Sequence, residues 1–505
     1  MRTIILAVLA AMMVNVAYAQ EQTTGSLEKD DPFKKDYQTW RKEMLNNYQN
    51  FRKKMLQDYA DFARDPWSRM RLSPAEEKPE DEKIKPIIID IDDEKVTPPP
   101  KKDSVKKEKE TIISVLPLPQ PLPAPDPVAP IKEDHSQTEQ YRPFMFYGTN
   151  MKVRWSDDCA FHLKDINEQS IADAITVLSD KKYDNVLYDC LQLRSACHLS
   201  DWAYYLMLKE LSASFCGKDT NEAALLLAML FSQSGYRLRL AKSGQRLLLL
   251  ISTQFNLYGY SYLEMDGHNY YLLDGDFESA DVCKAQFPKE QEMSLIMKES
   301  PRLADSKSEA RTITSPVHPQ LTVHVSVNKN LIDFYATYPS SYFNNDFMTR
   351  WAMYANKEIQ PEVREQLYPQ LKAIIKDKSQ RDGVENLLNW IQTAFKYEYD
   401  DKVWGYDRAF FAEESLFYPS CDCEDRSILF TRLVRDLLGL KCILVYYPGH
   451  LATGVCFTED VEGDSIVING NCYTICDPTL IGAGASVGTT MSGMNNNSAN
   501  VVVLE

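Results

Sequence analysis

Residues 421–454 read "CDCEDRSILFTRLVRDLLGLKCILVYYPGHLATG", and this stretch decides the fold. Four leucines follow Cys423 at helical spacing: Leu429, Leu433, Leu437 and Leu440. Gly439 is the residue type that ends helices, and the run "CILVYY" after it is typical of a buried strand. The pattern predicts a helix that begins at Cys423, a strand, and a turn at Pro448-Gly449 that places His450 at the end of that strand.

An earlier part of the chain resembles this stretch. Residues 219–250 read "DTNEAALLLAMLFSQSGYRLRLAKSGQRLLLL", again a helix after a polar start, a glycine and a strand. Each copy continues to a strand that ends in aspartate, "NYYLLDG" at Asp274 and "CYTICDPT" at Asp477. Asp219, Arg246 and Asp274 are 27 and 28 residues apart, and Cys423, His450 and Asp477 are 27 and 27 apart. We infer an internal duplication of one helix-and-sheet unit.

The two copies differ where chemistry would occur. The second copy has Cys423, His450 and Asp477, the residue types that nucleophilic acyl transfer requires. The thiolate attacks a carbonyl, the imidazole takes and returns the proton, and the carboxylate orients the imidazole. A cysteine at a helix N-terminus is also expected to have a lowered pKa and free backbone N–H groups for an oxyanion. The first copy lacks the thiol and the histidine, which predicts a non-catalytic unit.

Three motifs, "CDCEDRSILFTRLVRDLLGL", "PGHLATGV" and "ICDPT", resemble those of the transglutaminase-like superfamily, a branch of the papain-type cysteine fold. The resemblance covers residues 385–482. It implies an α+β fold of tandem domains, each with a helix N-terminus packed on an antiparallel sheet, with Cys423 as nucleophile, His450 as base and Asp477 as orienting acid. Cys421 stands where bacterial members commonly have glycine, and Trp404 and Tyr418 are candidate oxyanion donors.

The resemblance implies a thiol-dependent enzyme, first of all a peptidase or amidase, and it leaves the acyl acceptor open. Water would make the protein a hydrolase, whereas a lysine amine would make it a cross-linking transglutaminase. The alternative from another class is a non-catalytic scaffold that binds a peptide or protein. A peptide or protein is thus the expected substrate or partner, and no cofactor is implied.

The other cysteines have two further interpretations. Cys421 and Cys423 together with Cys472 and Cys476 could offer four sulfurs to zinc, although neither spacing is the usual one. In an oxidising compartment disulfides are the commoner outcome, and the candidates are Cys421, Cys442, Cys456, Cys472 and Cys476. Their pairing cannot be deduced from sequence. We therefore expect disulfides and no metal site.

The N-terminus "MRTIILAVLAAMMVNVAYAQ" has an early positive charge, an apolar run and small residues at Ala17 and Ala19. This pattern predicts a secretory signal peptide over residues 1–19, with cleavage before Gln20. The mature protein should be exported to the periplasm or the extracellular space, without a membrane span. A formal charge of −16 with no basic patch argues against a nucleic-acid partner.

The remaining organisation follows from composition. Residues 20–71 contain a tandem eleven-residue repeat that predicts an amphipathic helix, either a docking helix for a partner or one folded onto its own protein. Residues 72–142 combine charge runs with "LPLPQPLPAPDPVAP", which predicts a disordered linker. The degenerate copy is expected over 143–310 and the copy with the triad over 311–505.

Overall fold

The computed structural model describes residues 32–79, 118, 120, 122–135, 139–344, 346–479 and 486–505. The predicted signal peptide, residues 1–19, lies outside the described residues. The chain divides into two units, residues 1–55 and 56–505. Both predicted transglutaminase-like domains, 143–310 and 311–505, lie within the second unit.

The eleven-residue repeat lies on helix α1, Pro32–Ala63, whereas Ser68–Arg71, inside the predicted helical segment 20–71, form a strand. After residue 55 this helix buries side chains spaced three and four apart: Leu56, Tyr59, Ala60 and Ala63. The ring of Tyr59 stacks on Phe287 with centroids 4.3 Å apart. From residue 56 onward, the helix therefore packs onto its own protein, which was one of the two predicted alternatives.

The first sheet and its helices fill the chain up to residue 282. The elements are β1 (Ser68–Arg71), β2 (Tyr141–Phe146), β3 (Thr149–Arg154), α2 (Glu168–Leu178), α3 (Asp184–Ala196), α4 (Asp201–Cys216), α5 (Asn221–Gln233), β4 (Leu238–Ser243), β5 (Arg246–Ser252), β6 (Asn256–Leu257), β7 (Tyr262–Met265), β8 (His268–Leu272) and β9 (Ser279–Val282). The order β1-β9-β4-β5-β8-β7 makes one antiparallel sheet. Strands β2 and β3 form a separate hairpin.

A second set of helices precedes the second sheet. The elements are β10 (Arg311–Thr314), β11 (Thr322–Val325), α6 (Lys329–Tyr335), β12 (Ser341–Tyr342), α7 (Met348–Asn356), α8 (Pro361–Ile375), α9 (Gln380–Ala394), β13 (Lys396–Tyr397), α10 (Asp400–Val403), α11 (Ala412–Phe417), β14 (Ser420–Cys421), α12 (Cys423–Leu438), β15 (Lys441–Tyr447), β16 (His450–Cys456), β17 (Ser465–Ile468), β18 (Asn471–Cys476) and β19 (Asn500–Val503). The antiparallel sheet has the order β17-β18-β16-β15-β19.

Helix α12 has the boundaries that the sequence predicted. Asp422 caps its start, and Asp425 completes a reciprocal capping box with the backbone N–H of Asp422. Gly439 ends the helix in the left-handed region at φ 67°. This conformation is unfavourable for any residue that has a Cβ, so glycine suits the position. The cap fixes Cys423 as the first helical residue, with its side chain against the sheet.

The two sheets have the same strand order. Strand β4 directly follows helix α5, and strand β15 directly follows helix α12. In the first sheet β4 lies between β5 and β9, and in the second sheet β15 lies between β16 and β19. The series β7-β8-β5-β4-β9 thus matches β17-β18-β16-β15-β19 strand for strand. The fold class is α+β with antiparallel main sheets, as predicted, and the shared order supports the inferred duplication.

The predicted linker starts too early and ends too late. Leu72 belongs to the apolar core of the first sheet, and Ser73 forms a β-bridge with Tyr262. At the other end, the N–H of Val128 donates to the carbonyl of Gln233. Residues 72–79 and 122–135 therefore contact the folded unit, through backbone hydrogen bonds and, at Leu72, through a buried apolar side chain. Most of the range between them lies outside the described residues.

Within the described ranges, none of the helices is long and apolar enough to cross a bilayer.

Candidate active site

Cys423 lies at the interface between helix α12 and strand β16. Its side chain is fully buried, and the sulfur lies near the backbone N–H of Leu451. One helical turn further on, the Ser427 hydroxyl donates to the carbonyl of Leu451 at 3.0 Å. These two contacts hold the start of the helix against the residue that follows His450.

His450 and Asp477 are in direct contact. The imidazole Nε2 lies 2.8 Å from Oδ2 of Asp477, and both side chains are buried. The other carboxylate oxygen accepts the N–H of Thr479 at 2.9 Å, which fixes the carboxylate's orientation. Among the described residues, the second ring nitrogen, Nδ1, has no hydrogen-bond partner although it is buried. One ring nitrogen of the imidazole is therefore bound to Asp477, and the other is available to a proton donor.

The structure brings two of the three predicted residues, His450 and Asp477, into contact and places Cys423 near the same end of the sheet. Strands β16 and β18 are neighbours, so His450 and Asp477 meet at the same end of the sheet. Cys423 reaches the same end through its contact with Leu451. The helix start and two strand ends therefore converge. Among the described residues, however, the sulfur and the imidazole share no hydrogen bond, since the thiol donates to Glu424 and Nδ1 of His450 has no partner.

The prediction that the helix N-terminus lowers the pKa of the Cys423 thiol is wrong. Burial raises the pKa of the Cys423 thiol well above its ordinary value, and the carboxyl groups of Glu424 and Asp422 raise it further. The S–H donates to Oε2 of Glu424 at 3.4 Å. Desolvation and two neighbouring acids outweigh the partial positive charge of the helix end. In the resting state the sulfur therefore keeps its proton.

A cluster of buried and half-buried acids lies beside Cys423. Oxygens of Asp400, Asp407 and Glu424 lie within 4.8 Å of one another, and so do those of Asp400, Asp422 and Asp425. Burial, followed by the charge of Glu424, raises the pKa of Asp400 to about 8. Carboxylates this close can hold a hard divalent cation. In the structure, the Nζ of Lys78 lies 2.5 Å from Asp407 and supplies positive charge.

The alternative zinc site is not assembled. Cys472 and Cys476 stand four residues apart on one strand, which separates their Cα atoms by about 13 Å. Cys472 is also exposed, whereas Cys421 and Cys423 are buried. The four sulfurs therefore cannot converge on one ion.

The expected disulfides are also absent, since all eleven cysteines are free thiols. Cys442 lies opposite Val455 on the neighbouring strand. Cys456 directly follows Val455, so its side chain points to the opposite face of the sheet from that of Cys442. Burial raises the pKa of Cys421 to about 11. These thiols fill space in the sheet and beside the site without cross-linking it.

The residues suggested as oxyanion donors belong to a different cluster. The rings of Trp404 and Tyr418 contact each other with centroids 4.8 Å apart, and the Arg408 guanidinium lies over Trp404. The Arg311 side chain meets the backbone carbonyl of Tyr418 from the other side. These contacts give both side chains a packing role in a cluster with Arg408.

Tyr397 is a residue that sequence reasoning missed. It pairs with Cys421 in the short parallel ladder of β13 and β14, directly before the nucleophile. Its hydroxyl is buried and has no hydrogen-bond partner in the described part of the chain. Burial, then the nearby sulfur of Cys423, raises the pKa of this phenol. The Arg426 guanidinium lies 5.1 Å from the ring centroid and holds the ring in place. A two-residue ladder leaves no periodic signal from which Tyr397 could have been identified.

Strand register identifies the corresponding positions of the first copy. In the two hairpins, Ser243 lies opposite Arg246, and Tyr447 lies opposite His450. Arg246 and His450 are each the first residue of their strand. The arginine therefore occupies the place of the histidine, as the sequence comparison predicted.

The acids correspond in the same way. The reference pairs are Leu250 with Leu272 in the first sheet and Thr453 with Cys476 in the second. Counting along the antiparallel ladders from these pairs places Asp274 and Asp477 at the same position. Asp274, however, is engaged by Lys209, whose Nζ lies 2.5 Å from its carboxylate. The first copy retains the acid and binds it to a lysine instead of a histidine.

Comparison of the chain with protein-family models, with curated proteins and with solved structures gives no match.

Proposed function

We propose that this chain is an exported member of the transglutaminase-like superfamily whose second copy is a cysteine peptidase or amidase. The observation that carries the proposal is the buried His450–Asp477 hydrogen bond, with the opposite ring nitrogen unpaired. A triad needs this division of the imidazole between an orienting carboxylate and a thiol. The predicted signal peptide supports export.

In the proposed reaction, Nδ1 of His450 accepts the proton of the Cys423 thiol as the sulfur attacks the substrate carbonyl. A neutral resting thiol makes this general-base step necessary, because the thiolate is not formed in advance. The developing oxyanion takes a hydrogen bond from the Tyr397 hydroxyl, whose donor is otherwise unused. Asp477 stabilises the imidazolium, which then protonates the leaving amine.

The second half of the reaction releases the acyl group. Water gives its proton to His450 and attacks the thioester, so that the carboxylic acid forms and the thiol is regenerated. An amine in place of water would give a new amide and make the protein a cross-linking transglutaminase. The experiment is a peptide-library cleavage assay with and without added amine, with Cys423→Ala as the inactive control and mass spectrometry to detect a thioester on Cys423.

A second candidate function is favoured by the burial of the nucleophile. Cys423 and His450 are 0% and 1% exposed, so a substrate reaches the sulfur only if the site opens. A chain in which the site stays closed would be a peptide-binding scaffold built from two related units. Cleavage of no peptide, together with no thioester on Cys423, would support the scaffold and reject the enzyme.

A further inference from the structure

The first copy has an open cleft at the place where the second copy has its triad. The cleft has a volume of about 710 Å³ and lies between the tip of the β2–β3 hairpin, helix α4, the start of α5 and strand β5. Asp219, Arg246 and Asp274, which correspond to Cys423, His450 and Asp477, all line it. Its volume falls in the range of about 300–1,000 Å³ that is usual for ligand sites. We call it the first-copy cleft.

Exposure distinguishes the two copies at these positions. Asp219 and Arg246 are exposed, and the side chain of Asp274 is 51% exposed. The corresponding residues of the second copy are buried. The first copy thus presents to solvent the strand ends that the second copy encloses.

The cleft carries balanced charge. Lys209, Lys218 and Arg246 line it together with Glu210, Asp219 and Asp274. Lys209 and Asp274 neutralise each other at 2.5 Å. Lys218, Asp219 and Arg246 form no ion pair with another described residue, so they are available to a ligand. The three acids make binding of a phosphate or a nucleic acid unfavourable, and the three basic side chains make binding of a bare metal ion unfavourable.

The remaining wall is apolar. Phe146, Ala213, Ala224 and Leu227 line the cleft, and Met145 at its rim is 50% exposed. A flexible exposed methionine adapts to varied apolar side chains. An apolar surface with free charges of both signs matches a polypeptide, which offers carbonyls and carboxylates to Arg246, amides and amines to Asp219, and side chains to the apolar wall.

We propose that the first-copy cleft binds a peptide segment of a protein partner, held between Arg246 and Asp219, and does not cleave it. No thiol or imidazole lies at the corresponding positions, so the cleft offers no cysteine nucleophile that could attack the bound peptide. This site is separate from the one in the proposed function. It does not require turnover at Cys423.

The test uses the full chain with Cys423→Ala, so that the result does not depend on catalysis. An array of random hexapeptides, blocked at both ends, is probed with this protein, and the best ligand is measured by fluorescence anisotropy. Arg246→Glu should weaken binding by about tenfold or more, since it reverses one of the charges that hold the ligand. Arg302→Glu is the matched control, because Arg302 is exposed and lies outside the cleft.

A benzophenone on the peptide gives the position of the bound ligand, and labelling at Met145 or Tyr147 is expected. Equal affinity of Arg246→Glu and Arg302→Glu, with both variants folded by thermal denaturation, would overturn the proposal. Labelling confined to the second copy, or no bound peptide at all, would overturn it as well. If peptides bind here while the library assay shows no cleavage, the enzyme proposal fails and the first-copy cleft remains.

Discussion

Arg246 occupies in the first sheet the position that His450 occupies in the second. Each opens the strand after a hairpin, opposite the last residue of the preceding strand. A guanidinium keeps its proton at all accessible pH values, so it cannot act as a base for a thiol, whereas an imidazole can. Together with Asp219 in the place of Cys423, this difference leaves the first copy without either the thiol or the imidazole that the proposed reaction requires.

Asp477→Asn tests the orienting role of the carboxylate. An amide in contact with Nε2 no longer selects the required tautomer or stabilises the imidazolium, and we expect hydrolysis of the library-derived peptide to fall by about a thousandfold or more. Asp460→Asn, at an exposed site, is the control. Near-normal hydrolysis by Asp477→Asn, measured as kcat, would remove Asp477 from the mechanism.

Tyr397→Phe tests the oxyanion donor without changing the shape of the ring. Hydrolysis should fall by about 10²–10³-fold in kcat with little change in KM, because the lost hydrogen bond forms in the transition state. Alkylation of Cys423 by iodoacetamide forms no oxyanion, so its rate should change little. The control is Tyr399→Phe, whose ring packs against Tyr397 at 5.3 Å. A parallel loss of both activities would point to a structural role for Tyr397.

The pH dependence of alkylation reports the state of the nucleophile. Because burial and the acids beside it raise the pKa of the Cys423 thiol, the thiolate fraction should increase throughout the neutral range. The rate of iodoacetamide labelling at Cys423, followed by mass spectrometry, should rise continuously from pH 6 to pH 9. A rate that levels off near pH 6 would show a preformed thiolate and contradict this assignment.

Asp400→Asn tests the acid cluster through stability. The pKa of Asp400 is raised to about 8 in the folded protein, against about 3.9 in an unfolded chain. A folded-state pKa above the unfolded value contributes stability that is complete below about pH 4 and is lost as the pH rises through about 8. The urea midpoint of the unmodified protein should therefore fall more between pH 5 and pH 8 than that of Asp400→Asn.

The exposed neighbour Asp401 supplies the control for this comparison. Asp401→Asn should retain the pH dependence of the unmodified chain. Identical pH dependence in Asp400→Asn and the unmodified protein would show that the cluster does not hold Asp400 protonated.

Alanine substitutions at two glycines in or near helix α12 are expected to change the free energy of unfolding in opposite directions. Gly439→Ala places a Cβ on a residue at φ 67°, and we expect the free energy of unfolding to fall by about 1 kcal/mol. Gly383→Ala lies inside helix α9, where the added Cβ meets Leu438 at an ordinary 3.4 Å. That variant should gain about 0.5–1 kcal/mol from helix propensity. Urea denaturation of both variants measures the pair, and a loss of stability in Gly383→Ala would contradict the described packing.

Local sequence signals determined the elements of the site. Helical spacing and Gly439 predicted helix α12, and the nearly equal intervals among the two sets of three residues predicted two copies with one topology. These signals succeed because helix periodicity, caps and strand alternation depend on neighbours within a few residues. The boundaries of the linker failed for the complementary reason, since the burial of Leu72 depends on a sheet formed some 170 residues later.

By itself, the sequence determined the α+β class, the repeated unit and the candidate triad of Cys423, His450 and Asp477. Only the tertiary structure decided that His450 contacts Asp477, that Tyr397 lies near Cys423, that the Cys423 thiol is neutral, and that the first copy carries an open cleft. The physical reason is that a side chain's chemistry is set by what is packed around it. Desolvation and nearby charges come from segments distant in sequence, and no local pattern encodes them.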